Sequence, residues 1–163
     1  MAEKKYILDQ RTAEQKLHRM ALEIAEQLHD EKEIILIGVK NSGLVIAQEI
    51  AGMLKEYVSV KVIALSLDKR KPTTIELSEQ IDFNNKTIIV TDDVSNSGKT
   101  LLYALKPLLE FHPKRIQTLV LVERMHKQFA IKPDYVGLSV ATTLEDHIVV
   151  ETEGSVVSGA YVE

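Results

Sequence analysis

The stretch Lys86–Leu105 constrains this chain more than any other. It opens on an apolar, β-branched run, Thr87–Val90, with the length and composition of a buried strand. The run ends in two adjacent carboxylates, Asp92 and Asp93, and a small polar turn follows, Ser95–Asn96–Ser97–Gly98. A helical pattern then begins, with Leu101, Leu102 and Leu105 on its apolar face. A strand that delivers acids to a glycine-bearing turn at a helix N-terminus suits an anion, because free backbone N–H groups and the positive helix end both face the turn. An ordinary strand–turn–helix with capping serines would have the same outline. A nucleotide-binding P-loop also ends as Ser97–Gly98–Lys99–Thr100 does. That loop needs a glycine where Asp93 stands, and a carboxylate there would face the phosphates.

The 163 residues fit one domain, 1–163, long enough to bury a full core. A net charge of −4 gives no global attraction to nucleic acid or anionic membrane. The absence of cysteine removes disulfides, thiolate metal sites and thiolate nucleophiles. No apolar run approaches the ~20 residues of a membrane span, and Met1–Lys5 lacks a signal-peptide core. The expected location is cytoplasmic.

Helical spacing runs through Thr12–His29, with Thr12 as the expected N-cap, and returns over Gly43–Tyr57. Strands are expected at Glu33–Val39, Val58–Leu67, Lys86–Thr91, Arg115–Val122, Asp134–Val140, His147–Glu151 and Val156–Val162. The charged segment Asp68–Ile81, which carries Pro72, reads as a loop. A helix is expected over Lys99–Phe111, kinked or shortened by Pro107. Strands alternating with helices at this spacing predict an α/β fold, a mostly parallel twisted sheet with helices on both faces. Ligands of such sheets bind at the carboxyl ends of the strands. Asp92–Asp93 and the turn Gly38–Gly43 both fall at such ends. In that second turn Lys40 offers a cation, and Ser42 is an ordinary N-cap candidate.

The segment Val90–Thr100 resembles the phosphoribosyl pyrophosphate (PRPP) signature of type I phosphoribosyltransferases, with Ser97 where the family usually has Thr. Leu121–His126 and Ile131–Gly137 are similar to the pyrimidine operon attenuator proteins that also act as uracil phosphoribosyltransferases. Glu123 matches an Asp of that group and Met125 replaces a Gly. Hypoxanthine–guanine enzymes place a Lys where Glu123 stands. The resemblance covers roughly Thr12–Glu151 and implies the type I fold with a small base-binding hood.

The resemblance also implies roles. Ser95, Asn96, Ser97, Gly98, Lys99 and Thr100 would hold the PRPP 5′-phosphate, and Asp92 and Asp93 would be the catalytic acids at the ribose hydroxyls. Lys40, Asn41, Ser42 and Gly43 would cradle pyrophosphate. Relatives have Lys-Thr-Arg-Gly there, so this chain lacks one bidentate phosphate contact. Lys69 and Arg70 would belong to a mobile loop that closes over PRPP; a solvated basic loop is the plainer reading of the same residues. Tyr135 and Val136 would line the base site, although Tyr135 is equally suited to core packing at a strand start. Mg²⁺ is the implied cofactor, held through PRPP oxygens with no direct protein ligand assigned. The implied activity is transfer of a 5-phosphoribosyl group to a nucleobase, uracil favoured, in pyrimidine salvage. The implied assembly is a homodimer or higher homo-oligomer. Two other readings share the fold: an RNA-binding regulator that senses nucleotides, and a PRPP-binding protein without catalysis. The regulator would need Lys114, Arg115, Arg124, Lys127 and Lys132 on one face.

Overall fold

The computed structural model describes residues 3–163. Its elements, in chain order, are β1 (Lys5–Asp9), α1 (Gln10–Gln27), β2 (Glu33–Val39), α2 (Ser42–Leu54), β3 (Ser59–Leu67), β4 (Ile75–Leu77), β5 (Thr87–Ser95), α3 (Lys99–Ala104), β6 (Arg115–Arg124), β7 (Tyr135–Val140), β8 (Ile148–Glu153) and β9 (Val156–Val162). Six strands form the main sheet in the order β4-β3-β2-β5-β6-β7, parallel except for β4. The remaining three form an antiparallel sheet, β1-β9-β8.

The central strands are apolar on both sides because both sides are covered. Along β2, Ile34 and Leu36 face the cluster that includes Leu17, Met20 and Ile24 of α1 and Ile46 and Ile50 of α2. Ile35, Ile37 and Val39 face the opposite cluster, with Leu101 and Ala104 of α3. Each such side chain contributes about 1.5–3 kcal/mol on full burial, so a substitution at Ile34 or Leu36 is felt in the α1–α2 layer and one at Ile35 or Ile37 in the α3 layer. The small sheet docks through Leu8, Ile148, Val150, Val157 and Ala160 onto the α1–α2 layer. It is further tied there by the Val157 N–H, which donates to Glu49 Oε2 at 3.2 Å.

Several boundaries differ from the sequence reading for local reasons. Asp9, not Thr12, caps α1: its Oδ1 accepts from the Thr12 N–H at 2.7 Å. Pro107 ends α3 early, and Lys106–Leu108 continues as a 3₁₀ turn. The segment read as a loop contains β4, an antiparallel edge strand of three residues beside β3. It is too short to show a period. β1 is not legible in the sequence either: its residues are mostly exposed and its partner, β9, lies at the far end of the sequence. β5 runs on past Thr91 to Ser95 because β6 continues to pair with it, through Val94↔Val122 and Ser95↔Glu123. The β2 ladder on its other side stops at Gly38↔Thr91. The two acids therefore stand where β5 has lost one neighbour and kept the other.

Candidate functional site

The carboxyl end of β5 opens into a cavity of about 150 Å³. Asp92–Ser95, the turn 96–98 and the first residues of α3 line it, with Lys69 and Ile148 across from them. The turn is built by one glycine and one loop. Gly98 sits at φ 85°, a left-handed conformation that side chains other than glycine resist. The Gln128 and Phe129 N–H groups both donate to the Ser97 carbonyl, at 3.1 and 3.0 Å, which holds the turn from behind. Ser97 Oγ accepts from the Lys99 N–H at 3.3 Å. Gly98 itself gives α3 no side-chain cap, and apart from the Lys99 N–H, which Ser97 Oγ engages, the amides of the turn remain available to a ligand.

The acids differ in exposure. Asp92 is buried at 1% relative exposure, and its Oδ2 has no partner among the described residues. Its Oδ1 accepts from the Asp93 N–H at 2.9 Å. Asp93 is more open, with Oδ1 accepting from the Val94 N–H at 2.8 Å. Lys69 Nζ lies 3.6 Å from Asp92 Oδ1 and 3.8 Å from Asp93 Oδ1. Burial pushes the Asp92 carboxyl well above the usual carboxylate range, and the Asp93 charge adds to it, while Lys69 opposes both. The Ser95 hydroxyl is also buried and unpartnered among the described residues. Unsatisfied buried groups cost folding energy, and two of them, on Asp92 and Ser95, line this one cavity.

That cost has a sign. A carboxyl whose pKa is raised on folding adds stability only while protonated, below its unfolded pKa, and loses it as pH rises through the folded value. Asp92→Asn is therefore expected to raise the melting temperature at neutral pH by roughly 2–4 °C, the shift that about 1 kcal/mol produces in a domain of this size. The gain should vanish near pH 3, where Asp92 carries its own proton. Calorimetry of both proteins at the two pH values checks it.

The turn after β2 meets the acids from the side. Gly43 opens α2 so close to β5 that a Cβ on it would lie 2.8 Å from the Thr91 carbonyl oxygen and 3.0 Å from Asp92 Cα. Asn41 stands at the N-cap without a side-chain bond to the helix, and the Lys40–Asn41 peptide is cis. Lys40, Asn41 and Ser42 do not line the 150 Å³ cavity; they stand beside it, at the end of the adjacent strand.

Of the remaining sequence candidates, Lys69 reaches the cavity and Arg70 is exposed outside it. Tyr135 is not brought to the cavity. It is fully buried against α1, and its hydroxyl oxygen lies 2.8 Å from Gln117 Oε1 and 3.0 Å from Gln27 Oε1, with its one proton donated to one of the two at a time. Burial, foremost, pushes that hydroxyl up to about 12. Val136 packs half-buried against the α3-side cluster. Both sit at the start of β7, away from the carboxyl edge, and core packing accounts for them. The apolar lining of the cavity comes instead from Val94 of β5, Leu101 of α3 and Ile148 of β8. The apolar run Ile148–Val150 is the only mark of Ile148 in the sequence.

A second cavity of about 500 Å³ lies at the carboxyl ends of β6 and β7, between Glu123, Phe129, Ile131 and Ser139. Glu123 is in register with Ser95. Its Oε1 accepts from the Ser139 hydroxyl and its Oε2 from Lys127 Nζ, both at 2.7 Å. Burial works to raise the Glu123 carboxyl, but these two bonds outweigh it and leave it below its ordinary value.

The basic residues needed for an RNA face are dispersed. Lys114 pairs with Glu31 at 2.8 Å, Lys127 with Glu123, and the Arg124 guanidinium is buried against the Asp146 carbonyl. Arg115 and Arg124 stand at opposite ends of β6, about 30 Å apart at strand rise. No helix among the described residues is long and apolar enough to cross a membrane. Nor do the described residues hold a group of three or more His, Cys, Asp or Glu side chains placed to bind a metal. A divalent cation at the two acids would thus need oxygens from a ligand to complete its shell, and the unpartnered Asp92 Oδ2 fits that arrangement.

These features have counterparts in known proteins. The sequence matches the phosphoribosyl transferase domain family over residues 4–154. A protein named bifunctional protein PyrR from Clostridium novyi is 34% identical over 155 residues, covering 88% of this chain and 87% of the relative. Its namesake from Limosilactobacillus fermentum is 33% identical, with 89% and 90% covered. Among solved structures, a hypoxanthine–guanine phosphoribosyltransferase from Bacillus anthracis superposes with a TM-score of 0.75 at 22% identity, over 90% of this chain and 87% of that one. A hypoxanthine phosphoribosyltransferase from Trypanosoma cruzi superposes with 0.79 at 14% identity, over 99% and 95%. At such identities the structures speak for the fold, an α/β sheet with helices on both faces. The matched domain and the PyrR relatives place function beside it: the chain belongs to the phosphoribosyl transferase domain family and is a phosphoribosyltransferase.

Proposed function

We propose that this protein transfers the 5-phosphoribosyl group of PRPP to uracil, with Mg²⁺, forming uridine monophosphate and pyrophosphate. The observation that carries the reading is the cavity that joins the acid pair Asp92–Asp93 to the turn 95–100. The turn would take the 5′-phosphate on its backbone N–H groups, with the Ser97 and Thr100 hydroxyls donating. Asp92 and Asp93 repel that phosphate and suit the ribose hydroxyls. The adjoining turn Lys40–Gly43 would receive the pyrophosphate. Transfer passes through a positively charged sugar, so fixed charge and positioning supply most of the acceleration. Bound Mg²⁺ would neutralise the departing pyrophosphate. Asp93, the more open acid, would face the reacting ribose carbon, and Ile148 would close the base side against water.

Two points favour uracil. Relatives at 30% identity or more are named PyrR, a pyrimidine-related name. Glu123 puts a spent carboxylate, both oxygens engaged, where a cation would be needed to meet a purine carbonyl. The assay is direct: PRPP and Mg²⁺ with uracil, hypoxanthine, guanine, xanthine and adenine in turn. Uracil should give the fastest nucleotide formation. A faster purine removes the uracil assignment, and silence with all five removes the transfer reaction. The five basic residues weighed for the RNA-binding alternative do not share one face, while the PyrR relatives are each named bifunctional, so a filter-binding test with RNA at varied salt decides that reading.

A further inference from the structure

Lys69 stands in an unusual place for a loop lysine. β3, which it follows, is not a neighbour of β5, because β2 lies between them. The chain beyond Leu67 must therefore lean over the end of β2 to bring Nζ to 3.6 Å from Asp92 and 3.8 Å from Asp93. A compact turn sets that reach: the Arg70 N–H donates to Asp68 Oδ1 at 2.9 Å and the Lys71 N–H to the Asp68 carbonyl at 3.1 Å. The turn is an Asx turn, so the aspartate fixes the base of the lysine and not its tip. Among the described residues no other cation pairs with either acid.

The contact is suited to being broken. Both distances exceed a hydrogen bond, so the attraction is charge on charge without a fixed direction. The lysine side chain is 50% exposed while that of Asp92 is 1% exposed, so the cation enters from water and can return to it. A lysine ammonium is a strongly hydrated charge on a flexible stem. The buried partner has no such freedom, and while Lys69 faces its Oδ1, its Oδ2 has no partner among the described residues.

We propose that Lys69 is a built-in counter-ion that occupies the acid pair while the site is empty, keeps free divalent cations off it, and withdraws when the substrate arrives with its own cation. This rests on the phosphoribosyl reading only for the identity of the incoming substrate. Metal would then be admitted with the diphosphate and not ahead of it.

Manganese(II) alone, followed by its electron paramagnetic resonance signal, tests the proposal without substrate or turnover. Lys69→Met should bind Mn²⁺ at least about tenfold more tightly than the parent protein, a difference of about 1.4 kcal/mol. Lys69→Arg should behave as the parent, and Lys69→Met with Asp92→Asn should lose the gain. Equal Mn²⁺ affinity in the parent and Lys69→Met overturns the proposal, as does a gain that survives Asp92→Asn. Calorimetry of PRPP on the parent protein separates the two ideas. Failure to bind PRPP sinks the phosphoribosyl reading and leaves the Mn²⁺ contrast standing. PRPP binding with no Mn²⁺ contrast removes the counter-ion alone.

Discussion

Asp93→Asn is expected to slow nucleotide formation by about 10²–10³-fold, the usual effect of deleting one well-placed charge from a transition state. Asp93 is the acid that solvent reaches, with a side chain 19% exposed against 1% for Asp92. Its Oδ1 accepts a backbone N–H, which an amide oxygen can still do. The substitution therefore keeps the local fold and removes the charge. Steady-state kinetics with PRPP varied should show the loss in kcat, with a smaller change in KM. Wild-type turnover in this variant would show that the acid does not touch the reacting sugar.

Gly43→Ala should have the second largest effect, and through packing. Its new Cβ would come to 2.8 Å of the Thr91 carbonyl and 3.2 Å of Asp92 Oδ1. A strand backbone inside a six-stranded sheet cannot yield, so α2 must shift outward. Overpacking of this kind costs about 1–3 kcal/mol, and each kcal/mol lowers the melting temperature by roughly 2–4 °C here. Gly52 is the control. It lies on the same helix, and a methyl group added there would meet nothing within 4 Å, so alanine should stabilise by about 0.5–1 kcal/mol. Thermal melts of the two variants should move in opposite directions. PRPP affinity should fall only for Gly43→Ala, since only that change presses on Asp92.

How much of this is legible in the sequence follows from how locally each feature is encoded. The motif 92–100 is readable because strand, acids, hydroxyl and glycine lie in one contiguous run, and the structure brings all of them to one cavity. β2 can be placed to the residue since every position from Ile34 to Val39 is buried. Tyr135 can be read two ways because a strand start says nothing about direction. Only the partners Gln27 and Gln117, far apart in sequence, decide that it points under α1. Ile148 escapes a sequence reading for the same reason: its neighbours in the cavity come from β5 and the loop after β3. Thr12 passes for a cap as long as β1 is unseen, which hides that Asp9 closes a strand and opens a helix.

The small sheet that presents Ile148 is stitched from opposite ends of the sequence, with β9 in its middle, between β1 and β8. A growing polypeptide can complete the large sheet while this wall is still missing. A site that uses Ile148 as a wall should accordingly form only after the large sheet. Any fragment that stops short of Val156 would lack β9, the strand that ties β1 to β8, and would leave the α1–α2 layer and the Ile148 wall without their cover.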